Sequence, residues 1–133
     1  MQRILGFQIH RNVFGPGLSI AHLGPIIVNS KTRVGKNCRI HNLVHLATKP
    51  HAGMGQLAPT IGDNVFIGAG AVIVGDITIA NDIAIGANSY VDRSFLEEGI
   101  VIAGVPARKV KDSHEKFWLH ATEIVDAREN ILP

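Results

Sequence analysis

The stretch from Ile61 to Val91 reads IGDNVFIGAGAVIVGDITIANDIAIGANSYV. Within it Ile61, Ile67, Ile73, Ile79, Ile85 and Val91 recur at every sixth position without a miss. Upstream, Val28, Val34, Ile40 and Leu46 keep the same step. Four residues after most of these anchors stands a second small or aliphatic residue: Thr32, Cys38, Val44, Val65, Ala71, Ile77, Ile83 and Ser89. A period of six belongs neither to a helix of 3.6 residues per turn nor to a strand of period two. It suits a short strand followed by a tight turn, repeated. Three such units close a triangular coil of about eighteen residues, and coils stack as the repeats of a solenoid do. Stacking sets Ile61 over Ile79, Ile67 over Ile85 and Ile73 over Val91, as ladders inside a prism. Asn37, Asn64 and Asn81 stand where tight corners call for positive φ.

Composition agrees with a narrow interior. The chain has 133 residues, enough for one domain. It is 46% hydrophobic and 18% charged, which argues against disorder, yet only 5% aromatic. Large rings normally fill a conventional core; a thin prism of Ile, Val, Ala and Gly has no room for them. Accordingly, no ring is expected inside the prism between Val28 and Val91, and Phe66 and Tyr90 should point outward. The net charge of +2 gives nucleic acid or a membrane surface nothing to hold. One cysteine, Cys38, excludes an internal disulfide framework, and it occupies an inward slot as a packing residue. With no signal peptide or membrane span in the sequence, a cytoplasmic protein is expected.

The repeat breaks once. From Leu46 to Ile61 the step is fifteen residues, and the excess, Ala47 to Thr60, reads ATKPHAGMGQLAPT. Its glycines and prolines mark a loop, and an insertion in a solenoid coil commonly lies on the binding face. Beyond Val91, Asp92 to Gly99 reads as a polar connection and Val101 to Arg108 as an extended segment. Ser113 is placed to cap a helix whose apolar face is Phe117, Ala121, Ile124, Val125 and Ile131. The expected organisation is a β-helix domain over 1–111 with a loop at 47–60. A C-terminal α-helix over 112–133 would close the open end of the stack.

These hexads resemble those of the hexapeptide-repeat acyltransferases. The nearest likeness is to serine O-acetyltransferases and the O-acetyltransferases of surface polysaccharides. The likeness is carried by GPGLSIAHLGPIIVN (Gly15 to Asn29), VGKNCRI (Val34 to Ile40) and APTIGDNVFIGAGAVIVGDITI (Ala58 to Ile79). IGANSYV (Ile85 to Val91) and IAGVPARKV (Ile102 to Val110) add to it. It implies an all-β fold, a left-handed parallel β-helix, assembled as a homotrimer with active sites between subunits. Flat apolar sides bearing Leu43, Phe66, Val72 and Val74 give such an assembly a physical reason.

The chemistry implied is acetyl transfer from acetyl-CoA to a hydroxyl. The family's catalytic histidine matches His22, which would act as general base on the acceptor hydroxyl. An imidazole is suited to that work because it changes charge near neutrality. Counted back from Val28 by six, His22 falls in an inward slot; counted from Ile20 and Ile26, it faces elsewhere. His45 and His51, beside and within the loop, are candidates for the acceptor; His41 also flanks it. Gly68, Ala69, Ala71, Gly86 and Ala87 would line the cofactor groove, and Arg108 and Lys109 would meet CoA phosphates. No metal is expected: His22, His41 and His45 do not reproduce the zinc spacing of β-helical carbonic anhydrases.

Four positions depart from serine acetyltransferases. Gln8 and Ala21 stand where aspartates orient the histidine; Ala58 and Leu57 stand where a histidine and a basic residue meet the serine carboxylate. These departures favour a neutral acceptor, a sugar hydroxyl. The alternatives are a serine acetyltransferase proper and a non-catalytic trimeric β-helix.

Overall fold

The computed structural model of the chain describes residues 7–51 and 55–113. Most strands are two or three residues long, because each runs only from one corner of a prism to the next. The first coil holds β1 (Phe7–Gln8), a bridge at Phe14 and β2 (Ser19–Ile20). The second is β3 (Ile26–Val28), β4 (Arg33–Val34) and β5 (Arg39–Ile40). The third begins with β6 (His45–Ala47), leaves the prism through β7 (Lys49–His51) and β8 (Gly55–Leu57), and returns in β9 (Thr60–Ile61) and β10 (Phe66–Ile67). The fourth is β11 (Val72–Val74), β12 (Thr78–Ile79) and β13 (Ala84–Ile85). The last contains β14 (Tyr90–Val91), a bridge at Phe95 and β15 (Ile100–Gly104), after which β16 (Ala107–Asp112) turns back.

Three parallel sheets form the sides. One runs β1-β3-β6-β11-β14, a second runs β4-β9-β12, and the third runs β2-β5-β10-β13-β15 with β16 antiparallel on its edge. Bridges from Phe14 to Val34 and from Ile79 to Phe95 extend the second side at both ends. Ile61 pairs with Ile79, Ile67 with Ile85 and Ile73 with Val91, as the hexads require. Every anchor from Val28 to Val91 is buried, and so is every residue of the second set, from Thr32 to Ser89. Each fully buried Ile contributes roughly 1.5–3 kcal/mol, so the ladders carry the stability of the prism.

Corners are held by polar side chains as well as by glycine. Asn37, Asn64 and Asp82 adopt φ of 58°, 58° and 60°. The Asn37 amide donates to Asn64 Oδ1 at 3.1 Å, and the Asn64 amide to Asp82 Oδ1 at 3.0 Å. Positive φ therefore falls on Asp82, one residue beyond the expected Asn81. Asn81 instead caps a neighbouring turn, its Oδ1 accepting from the Asp63 N–H at 2.7 Å.

Two segments differ from expectation. The insertion is not an irregular loop: β7 and β8 pair antiparallel, Lys49 opposite Leu57. The connection after Val91 contains a rung of the prism, because Phe95 is buried against Ile79 and the core. Its ring fits there because the stack is ending, and the Arg93 guanidinium lies 4.8 Å above it. Phe66 and Tyr90 are half-buried and outside the core, as expected. The C-terminal helix and its cap at Ser113 call on residues 114–133, which lie outside the described residues. Asp112 itself belongs to β16. Among the described residues no helix is long and apolar enough to cross a membrane.

Candidate active site

His22 sits at the corner between the third and first sides. Register decides its orientation. Ile20 pairs with Ile40 and Val28 with Leu46, yet Val28 follows Ile20 by eight positions where Leu46 follows Ile40 by six. The corner of the first coil therefore carries two extra residues, and His22 is exposed on that excursion. Ile26 and Val28 are both buried, and the exposure of His22 settles the two counts of the hexad in favour of an outward histidine. Gly24 closes the excursion with φ of 150°; a Cβ there would come within 2.9 Å of the Asn42 side chain. A side chain at Gly24 would thus displace the corner that presents His22.

The same corner aligns other coils beneath His22. Ile20, Ile40, Ile67, Ile85 and Ile102 form one row across the third side. The residues that follow them, Ala21, His41, Gly68, Gly86 and Ala103, form the next row. Hydrogen bonds from Ala21, His41, Gly68 and Gly86 N–H groups to Ile40, Ile67, Ile85 and Ile102 carbonyls hold that row. His22 and His41 rings lie 5.6 Å apart, tilted by 60°. The other side of His41 meets Phe66 edge-on at 5.0 Å. Burial, the Arg39 guanidinium and His22 together lower the proton affinity of His41 below the ordinary imidazole value.

The small residues fall on both faces of this corner. Ala69 is half-buried and Ala87 exposed, so both can line an external groove. Gly86 is half-buried, and a Cβ on it would meet Ala103 Cβ at 2.9 Å. Gly68 is buried, and a Cβ on it would come 2.7 Å from the Ala87 nitrogen. Its missing side chain makes room for the chain's own next coil, so it does not line an external groove. Ala71, wholly buried in the core, does not face a groove either.

Arg108 lies opposite Ala103 on β16, four strands from His41 along the row, or about 19 Å at ~4.8 Å per strand. It is exposed. Lys109 differs from expectation: its ammonium is paired with Glu97 at 2.7 Å and Asp112 at 2.8 Å, which raise its proton affinity. Its charge is already answered within the chain.

His45 lies apart from the ring pair, on the outer face of the first side between Ile27 and Val72. With Gln8, His10, Asn29, Ser30 and Thr48 it lines an open cavity of about 270 Å³. His51 closes β7; the role given to its side chain lies outside the described residues. Cys38 is buried and its thiol is pushed up to about 12, so it does not serve as a nucleophile. Among the described residues no three His, Cys, Asp or Glu side chains gather at one point. In the sequence His41 is marked only as a residue beside the loop. Extending the hexads one coil upstream from Ile40 leads to His22 itself, so the contact between the two rings follows only from the longer corner, which sets Ile20 beside Ile40.

Comparison with known proteins agrees with this architecture. The family model for the bacterial transferase hexapeptide (six repeats) matches residues 58–93. Repeat and fold together make the chain a hexapeptide-repeat protein with a left-handed parallel β-helix. Within that class it resembles serine acetyltransferases. It is 36% identical over 113 residues to the serine acetyltransferase of Mycobacterium tuberculosis, covering 84% of this chain and 48% of that protein. A crystal structure of serine acetyltransferase in complex with coenzyme A from Brucella abortus superposes with a TM-score of 0.70 at 32% identity, over 77% of this chain and 40% of that one. A maltose O-acetyltransferase from Clostridium difficile superposes at 0.58 and 25% identity, over 77% and 59%. The chain spans about half the length of the curated relatives it matches first.

Proposed function

We infer that this β-helical chain is an O-acetyltransferase that moves an acetyl group from acetyl-CoA to a hydroxyl. The observation that carries this reading is His22, lifted into the open on a two-residue excursion within a chain resembling serine acetyltransferases. His22 would take the acceptor's proton as that oxygen attacks the thioester carbonyl; the new C–O bond forms and the C–S bond breaks. The same imidazolium then returns the proton to the departing thiolate. Ala69, Gly86 and Ala87 would border the pantetheine arm, and Arg108 would meet the donor's phosphates. Gly68, Ala71 and Lys109 take no part in this reading.

Serine is the acceptor that the relatives favour. A sugar hydroxyl is the second reading. Two things support it: Ala58, where a carboxylate partner would stand, is buried and apolar, and the maltose O-acetyltransferase shares the fold. A homotrimer fits the exposed Leu23 and Leu43 at the His22 corner, 74% and 58% accessible in a single chain. Each would be covered by a neighbouring copy, which sedimentation measures. A single free cysteine fits a cytoplasmic setting.

The test is release of free thiol from acetyl-CoA with serine and with a panel of sugars. Turnover should appear with at least one, and His22→Ala should reduce it about 10²–10⁴-fold. Turnover unchanged in His22→Ala removes the general-base assignment. Absence of acetyl-CoA binding by calorimetry favours a non-catalytic β-helix.

A further inference from the structure

A general-base histidine needs something to fix its ring and to face the charge it acquires. Among the described residues no carboxylate pairs with His22. Gln8, at one of the two places where an aspartate would be expected, lies with His45 on the cavity instead. The neighbour His22 does have is the His41 ring, at 5.6 Å.

His41 is itself held. Its backbone N–H donates to the Ile67 carbonyl at 3.1 Å, and its ring rests edge-on against Phe66 at 5.0 Å. Its placement is thus set by two coils, while His22 stands on the longer corner of the outermost one. The charged or titratable groups acting on His41 are Arg39, two residues before it in β5, and His22, from the preceding coil. From the following coil it meets the apolar Phe66 ring. The Arg39 guanidinium is fixed at this place by a hydrogen bond to Ser19 Oγ at 2.9 Å. Burial, the Arg39 guanidinium beside it and His22 all disfavour a proton on the His41 ring.

We propose that His41 is a positioning residue for His22, its neutral ring fixing the orientation of His22 and facing the imidazolium that forms in the reaction. A neutral aromatic ring beside a cation is attractive, so His41 can face the imidazolium without adding a second charge. In this chain a ring pair does what a carboxylate does for other catalytic histidines. The proposal rests on the acyltransferase reading, and the experiment separates the two.

In the first measurement, the ring resonances of His41 are followed by NMR between about pH 5 and about pH 8. Replacing His22 by Gln removes the neighbouring charge, so the His41 midpoint should rise; an unchanged midpoint overturns the ring pairing, whether or not the chain has activity. The second measurement compares kcat and KM of thiol release. His41→Ala should lower kcat by at least about tenfold with KM little changed, as loss of orientation does. His41→Phe keeps a ring on Phe66 and should restore most of kcat, whereas His41→Leu, which fills the space without a ring, should not. Equal recovery in these two variants overturns the proposal, since packing alone would do that. Absence of turnover in the unaltered chain overturns the acyltransferase reading instead.

Discussion

Two polar residues occupy inward slots of the hexad, and they fare differently. Ser89 Oγ donates to the Gly86 carbonyl at 2.7 Å and accepts from the Gly104 N–H at 3.3 Å. Thr32 is fully buried, and its hydroxyl has no partner among the described residues. A buried hydroxyl left unpaired costs about 1–3 kcal/mol, whereas an isosteric methyl would gain burial. Thr32→Val is therefore expected to stabilise the chain by about 1 kcal/mol, read as a rise in Tm by calorimetry. A fall in Tm would mean that the hydroxyl is satisfied in solution. Both slots are legible from the repeat, but Ser89's partners are not. One of them, Gly104, belongs to the next coil, fifteen residues away, and no pattern along the chain marks it.

At the scale of elements the hairpin β7–β8 is separable from the prism. Its flanking strands are already in place: Leu46 pairs with Ile73 and Ile61 with Ile79. Its ion pair to the prism, Lys49 to Asp92 at 4.0 Å, is partly exposed and worth about 0–1 kcal/mol. Replacing Thr48–Pro59 by Gly-Asp-Ile, copied from Gly75 to Ile77, restores the six-residue step between Leu46 and Ile61. The shortened chain is expected to keep its β circular dichroism and cooperative unfolding; loss of either would show that the hairpin nucleates its coil. Acetyl transfer should weaken if the insertion borders the acceptor. The hexads announce where the insertion begins and ends because they stop and restart. The pairing inside it follows no hexad, so it looked like a loop. The corner at Asp82, expected at Asn81, has a similar cause: both residues tolerate positive φ, and only the coil geometry chooses between them.

Across the whole molecule each coil touches only its neighbours, as in other solenoids. The middle coils therefore carry the ladders on two sides. Ile73 is fully buried between Leu46 and Val91. Ile73→Ala should cost about 2–5 kcal/mol, seen as a lower midpoint in urea with an unchanged slope. Ile27 lies on the outer face of the same side and is 39% exposed; Ile27→Ala should cost well under half as much. Equal losses would contradict a stack whose stability resides in the interior ladders.

The period, the ladder pairs, the inward slots and the absence of rings between Val28 and Val91 were all determined by sequence. Each is a local contact repeated once per coil, so the chain states it many times over. Tertiary structure alone decided which way His22 points and what it touches. That outcome depends on a single corner two residues longer than its neighbours, and on His41 one coil away. A unique excursion has no repeat to announce it, and it acquires meaning only when the coils are laid on one another.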